Sequence, residues 1–327
     1  MQNKNIIGVD LGGTTIKFAI VTREGIILDK WSIVTDISDE GSHITPSIIQ
    51  SITEHMKENN LQASDFLGIG MGSPGTVNKS KGTVIGAYNL NWKTEQPLQE
   101  MIEGATNIPL FIDNDANVAA LGEKWIGAGN DEPNVVFITL GTGVGGGVIA
   151  NGDLIHGAIG AAGEIGHITI DPHGYKCTCG KNGCLETVAS ATGIVRVAKD
   201  KAAAFEQDTQ LKRAILAGEA VDAKAIMDAA KEGDAYGIAI TDEISDYLGL
   251  ACGNIANILN PSTIVIGGGV SKAGEFLAER VRKQFSVYAF PTIRESTNIR
   301  IAELGNDAGV IGASSLVINE SIHQSNH

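Results

Sequence analysis

Three cysteines crowd the run Cys177-Thr-Cys179-Gly-Lys-Asn-Gly-Cys184, and Gly163-Glu-Ile-Gly-His167 stands just ahead of it. Three thiolates and one imidazole make a closed tetrahedral donor set that suits Zn²⁺, and four protein ligands leave no open position, so such an ion is structural. Gly180 and Gly183 let the short loop fold round it. His173 competes with His167 for the fourth place, and Cys252, on an apolar helical stretch, reads as core. A second run, Phe111-Ile-Asp113-Asn114-Asp115-Ala-Asn117, lies where a strand hands over to a helix. In an open α/β sheet that carboxyl edge is where ligands bind. A carboxylate there can take the proton of a hydroxyl as its oxygen bonds to phosphorus, and a helix N-terminus keeps it ionised at neutral pH. An Asp at that point is equally suited to cap the helix. Spacing leaves Asp115 open between the two roles, while Asp113, on the strand, reads as structural.

A third constellation is built on glycine. Asp10-Leu-Gly12-Gly13-Thr14-Thr15 with Lys17 offers a carboxylate for Mg²⁺ held through water, bare backbone for phosphate oxygens, a hydroxyl and a cation. Gly141-Thr142-Gly143-Val-Gly-Gly forms a second such tip. The dinucleotide pattern G-x-G-x-x-G occurs twice, at Gly141, Gly143, Gly146 and at Gly70, Gly72, Gly75. Neither match opens a helix, as a Rossmann loop must, and the chain holds no Walker sequence.

The elements that must position these residues follow from patterning. Ile7 to Gly25 and Val136 to Gly152 read alike, each strand, glycine turn, strand, turn, strand, which points to two related domains opening with a hairpin. Helices are expected over 46–59, 98–104, 116–126 and 274–285, strands over 66–71, 109–112 and 263–266, and helix formers dominate 192–217 and 222–259. The mixture is α/β with two cores: a small domain over 1–118, onto which a helix at about 305–320 packs back, and a large one over 119–304, with no Pro- or Ser-rich linker and hence a soft boundary near 118–132. Residues 319–327 are expected to fray. Length allows two domains, since the chain has 327 residues. Its 41 glycines follow no collagen period, which leaves turns and loops as their place. With 24 Lys and Arg against 38 Asp and Glu, the formal charge of −14 opposes binding to nucleic acid or anionic lipid. No run reads as a signal peptide or membrane span, and the cysteine layout suits a reducing, cytoplasmic compartment.

These segments resemble the ROK family, named for repressors, open reading frames and kinases, within the actin-like ATPase and sugar-kinase superfold. The Asp10 turn, the Thr139 to Gly147 turn and Ile266-Gly267-Gly268-Gly269 are similar to the superfold's phosphate 1, phosphate 2 and adenosine segments. Residues Gly163 to Glu186 resemble the family's zinc motif residue for residue, and the likeness runs to the closing Gly305-Asn-Asp-Ala-Gly-Val-Ile-Gly312. The resemblance implies a two-domain actin-like (ribonuclease H-like) α/β fold with an interdomain cleft, and transfer of a phosphoryl group from ATP, with Mg²⁺, to the 6-hydroxyl of glucose. It makes Asp115 the general base and Asn114 a sugar ligand. His167 would bind zinc through one ring nitrogen and a sugar hydroxyl through the other, with Glu164 and Glu186 on further hydroxyls. Asn89 and the backbone of Gly75 would lie near the sugar; Thr139, Gly141, Thr142 and Gly143 near phosphate; and Gly267, Gly268 and Gly269 against adenine and ribose. The family also contains kinases of N-acetylmannosamine, N-acetylglucosamine and fructose, and sugar-responsive repressors with a helix-turn-helix domain ahead of the first hairpin, which here starts at Asn5. A homodimer or tetramer is implied by resemblance alone.

Overall fold

The computed structural model describes residues 4–325, which divide into two compact α/β units. The first comprises the chain up to Asp131, Leu154–Ala162 and the residues from Asn306 onward; the second comprises Glu132–Asp153 and Gly163–Gly305. In the first unit, strands β1 (Asn5–Leu11), β2 (Thr15–Val21) and β3 (Ile27–Val34) form an antiparallel meander. Strand β4 (Phe66–Ser73) adds parallel to β1; after a small hairpin of β5 (Thr76–Asn78) and β6 (Thr83–Ile85), β7 (Leu110–Asn114) adds parallel to β4. The sheet order is β3-β2-β1-β4-β7. The second unit repeats the plan with β8 (Val135–Leu140), β9 (Val144–Ala150), β10 (Asp153–Leu154), β11 (Thr263–Gly267) and β12 (Asn298–Ile301), in the order β10-β9-β8-β11-β12. The internal likeness in the sequence is therefore a duplicated topology.

Neither dinucleotide-like glycine pattern opens a helix: Gly141 and Gly143 form the β8–β9 turn with Gly146 opposite Ile138 in β9, and Gly70 and Gly72 lie in β4 with Gly75 in the turn before β5. On one face of the first sheet Ile7, Val9, Leu11, Ile16 and Phe18 build the core with Ile44, Ile48 and Ile52 of helix Ile44–Glu58. The other face receives the closing helix Ala308–Ser325. It lies unusually close: a Cβ on Gly70 would stand 1.7 Å from the Ala313 carbonyl oxygen, and one on Gly312 would stand 1.7 Å from that of Val118.

Helix Asp115–Ile126 is continuous and packs on the closing helix, so a division at 118 would cut through it; the chain leaves the first unit at Asp131 and re-enters it over Leu154–Ala162. Of the end expected to fray from 319, the residues up to Ser325 are part of the closing helix; the last two lie outside the described ones. In the second unit the helix-rich stretches break where side chains cap new starts, Thr209 before Gln210–Leu216, Asp222 before Ala223–Lys231 and Asp234 before Ala235–Leu259.

Candidate functional site

In the first unit the parallel strands β1, β4 and β7 end side by side, and their carboxyl ends carry the predicted residues. Asp10 and Lys17 are cross-strand partners, with Lys17 Nζ 3.0 Å from Asp10 Oδ2. The intervening turn closes by Gly12 N–H donating to Thr15 O at 3.1 Å, and Thr35 engages its other carbonyls, Oγ1 donating to Gly12 O at 2.7 Å and N–H to Thr14 O at 3.0 Å. With the Gly12, Thr14 and Thr15 carbonyls taken, the turn is suited to offering donors. Gly13 faces Asn89: a Cβ there would sit 3.4 Å from Asn89 Nδ2. Gly75, at φ +90°, could hold no side chain, since a Cβ would meet Ile85 O at 2.8 Å.

Helix Asp115–Ile126 begins at this edge, and Asn114 is its cap: Asn114 Oδ1 accepts from Ala116 N–H at 2.9 Å while Nδ2 reaches Gly75 O at a long 3.4 Å. The capping role open to Asp115 is thus taken by its neighbour, although Asp115 Oδ1 shares the same Ala116 N–H at 2.8 Å. Asp115 is solvent-exposed. Desolvation by the protein packed round its carboxyl, helped by the negative charge of Asp10, raises its pKa above the ordinary Asp value against the pull of the Ala116 N–H and Asn114. A carboxylate that is exposed, not needed as a cap, and more basic than usual has the properties of a proton acceptor.

Sequence reasoning missed three neighbours of this edge. His156 Nε2 lies 2.6 Å from Asp113 Oδ2, and Lys79 Nζ lies 3.7 Å from the same oxygen. Gly309, at the start of the closing helix, backs onto Asp10, where a Cβ would fall 2.4 Å from the carboxyl carbon. Only the quoted Asp-Ala-Gly-Val sequence hinted at Gly309; nothing near His156 in sequence reveals its partner.

In the second unit the β8–β9 turn is locked from behind. Gly141 O accepts from Ala191 N–H at 2.8 Å, Thr142 O from Thr192 Oγ1 at 3.0 Å, and Gly143 O from Gly141 N–H at 2.9 Å. Val144 N–H donates to Glu186 Oε2 at 3.0 Å, and a Cβ on Gly143 would strike that oxygen at 2.5 Å. Gly143 is therefore brought to Glu186, while Gly141 and Thr142 share its turn and Thr139 lies in β8, paired with Gly145. Gly267, Gly268 and Gly269 follow β11, but differ in purpose: a Cβ on Gly267 would press the Phe137 ring at 2.8 Å and one on Gly268, at φ +85°, the Leu140 backbone at 2.5 Å. Gly269 has open space, and lines a cavity of about 310 Å³ with Met227, Val270, Lys272 and Ala273. Met227 carried no signal in the sequence beyond helix periodicity.

The cysteine loop gathers as predicted. The ligand atoms of His167, Cys177, Cys179 and Cys184 all lie within 4.8 Å of one another, with Cys179 Sγ to Cys184 Sγ at 3.6 Å and His167 Nδ1 to Cys177 Sγ at 3.6 Å. Zn–S bonds of about 2.3 Å in a tetrahedron require S···S edges of about 3.8 Å, so the donor set fits the ion. His173 stands outside the cluster, its N–H bonded to Asp171, and Cys252 is core, its thiol pushed up to about 12 by burial. Gly183 cannot be replaced, since at φ +71° its Cβ would fall 1.5 Å from Asp171 O. With Nδ1 turned to the thiols, His167 Nε2 faces outward, 3.9 Å from Glu164 Oε2.

The model of one protein family, described as the ROK family, matches residues 6–320. The chain belongs to the ROK family. A glucokinase of Halalkalibacterium halodurans is 47% identical to it over 318 residues, which is 97% of this chain and 96% of that protein. The structure of a ROK family glucokinase from Streptomyces griseus in complex with glucose and AMPPNP superposes with a TM-score of 0.76 at 33% identity, covering 96% of this chain and 99% of the other. A xylose repressor of Caldicellulosiruptor bescii is 31% identical over 97% of this chain but 79% of its own length. The fold of this ROK chain is the two-domain actin-like ATPase fold of the family's sugar kinases.

Proposed function

We propose that the chain is a glucokinase that transfers the γ-phosphoryl group of ATP, with Mg²⁺, to the 6-hydroxyl of glucose. The observation that carries the reading is Asp115, exposed at the carboxyl edge of β7, relieved of capping by Asn114 and more basic than an ordinary Asp. The reading draws glucose from the glucokinases it resembles across nearly its whole length.

In the proposed reaction Asp115 accepts the proton of the 6-hydroxyl as that oxygen bonds to the γ-phosphorus, and the bond from phosphorus to the bridging oxygen breaks to release ADP. General base assistance of this kind supplies about 10² to 10⁴-fold. The remainder is positioning and charge neutralisation. Asp10 would hold Mg²⁺ through water, an ion that neutralises charge on the phosphates, and Lys17, already 3.0 Å from Asp10, and the Gly12, Gly13, Thr14 and Thr15 turn would meet the phosphate oxygens. Glu164, Glu186 and the outward Nε2 of His167 would accept sugar hydroxyl donors, with Asn89, Asn114 and the Gly75 backbone completing the sugar contacts. The Cys177, Cys179, Cys184 and His167 set would hold a structural Zn²⁺ that fixes the His167 ring. The Gly269 cavity, apolar at Met227, Val270 and Ala273 and rimmed by lysines and by the carboxylates of Asp222 and Asp228, is where adenosine would lie. Reduced thiols at the metal loop accord with a cytoplasmic place. A coupled assay of ADP release over glucose, mannose, fructose, N-acetylglucosamine and N-acetylmannosamine tests the reading; strongest turnover with another sugar would reassign the substrate.

A further inference from the structure

Asp113 is 2% exposed and takes no part in the scheme above. Its Oδ1 accepts from Asn114 N–H at 2.8 Å and from Asn117 Nδ2 at 2.9 Å, so one oxygen ties the last residue of β7 to the first turn of helix Asp115–Ile126. Its Oδ2 meets His156 Nε2 at 2.6 Å, with Lys79 Nζ at 3.7 Å. Burial alone would raise the Asp113 carboxyl, but the hydrogen bond and charge of His156, then Asn117 and Lys79, outweigh it and hold the group below the ordinary carboxylate range. Asp113 is therefore a buried anion with a dedicated partner. That partner is shaped by its own loop: Ala162 N–H donates to His156 O at 3.1 Å and Gly157 turns the chain at φ +72°. Directly after Ala162 the chain runs into Gly163-Glu164-Ile-Gly-His167.

We propose that His156 and Asp113 are positioning residues for phosphoryl transfer, their contact holding the Asn114–Asp115 turn in register and anchoring the segment that leads into Glu164 and His167. The inference rests on the reading of Asp115 as base. Without His156 the nearest cation to Oδ2 is Lys79, and a carboxylate rotating toward it draws Oδ1 away from Asn114 and Asn117. Because Asn114 Oδ1 and Asp115 Oδ1 share the Ala116 N–H, relaxation of that turn passes directly to Asp115. Misplacing a catalytic group by about 1 Å costs up to about 10²-fold.

The test uses full-length wild type, His156→Ala, His156→Gln, Asp113→Ala and the double alanine variant, with kcat, KM for glucose and ATP, and thermal melts. His156→Ala is expected to lower kcat by about 10 to 10²-fold with KM for ATP within about twofold. His156→Gln, whose amide can donate to Asp113, should recover most of that loss. In the Asp113→Ala background, removing His156 should cost little more. If His156→Ala fails to fold, His156→Asn, too short to reach Asp113, takes its place with the same expectation. An unchanged kcat with a lowered melting temperature, or fully additive losses, overturns the inference while leaving the kinase reading intact. A wild type that releases ADP with no sugar overturns both.

Discussion

Gly309→Ala puts a methyl group where the structure holds the Asp10 carboxyl. The new Cβ would lie 2.4 Å from Asp10 Cγ and 2.7 Å from Oδ2. Carbon atoms settle at about 3.5 Å, so the pair must separate by about 1 Å. Of the two, the Asp10 side chain can turn, whereas the helix backbone is fixed by its fit to β1, β4 and helix Asp115–Ile126. Alanine also improves the helix by up to about 1 kcal/mol over glycine, which offsets part of the strain. The melting temperature should therefore move by no more than about 4 °C. The displaced carboxylate, however, leaves the 3.0 Å contact with Lys17 and the place from which it would hold Mg²⁺. A displacement of this size should lower kcat by about 10 to 10²-fold and raise the Mg²⁺ concentration for half-maximal rate. KM for glucose should change less than kcat, since Asp10 itself touches no sugar in the proposed scheme and Glu164, His167 and Glu186 belong to the second unit. ADP release against Mg²⁺ at saturating glucose, with parallel melts, reads both effects. Unchanged kcat and Mg²⁺ dependence would refute the placing of Asp10 at the metal.

Asp115→Asn should bind glucose by calorimetry yet lose about 10² to 10⁴-fold in kcat. Because its folded pKa is raised, the acid limb of kcat in the wild type should lie above the ordinary Asp value of about 3.9, and Asp115→Asn should melt higher than wild type at neutral pH, where folding penalises the ionised group. Asp113 carries the opposite sign: with a depressed folded pKa, its stabilisation is present above the unfolded value and is lost as pH falls through the folded one. Melts of Asp113→Asn and wild type should differ at pH 7 and converge in acid. Cys184→Ser, at a fully buried ligand position, should take zinc measured by mass spectrometry from about one per chain to near zero and raise KM for glucose about 10 to 100-fold through the loosened His167 ring.

What the sequence revealed and what it hid follow physical lines. The two hairpins were legible because glycine turns interrupt regular apolar strands, and Asn151 and Gly152, both at positive φ, form the tight turn their dipeptide announces. The Cys3His cluster was legible because all its members except His167 fall within one short run. The contest between His167 and His173 needed coordinates, since both lie at workable spacing. Asp115 was ambiguous because Asn and Asp both cap helices; in the structure Asn114 holds the cap position while both side chains share the Ala116 N–H. The first crossing between units, after Asp131, falls in the expected zone of 118–132, but the return over Leu154–Ala162 was not legible, since that segment belongs with strands far earlier in sequence. His156 was invisible for the same reason: its partner Asp113 is 43 positions away. Turns and loops were the expected place of the glycines, yet Gly70 and Gly309 admit the closing helix against the sheet and Gly312 admits it against helix Asp115–Ile126, a function that no local pattern encodes.

Purified protein with Mg²⁺ and ATP, coupled to ADP detection and given glucose beside Asp115→Asn, puts the proposed activity to direct trial. The wild type should release ADP in step with glucose 6-phosphate, with glucose the best of the sugars offered, and Asp115→Asn should fall by about 10²-fold or more. Absence of glucose-dependent ADP release from folded, zinc-loaded protein, or equal rates in the two proteins, would contradict it.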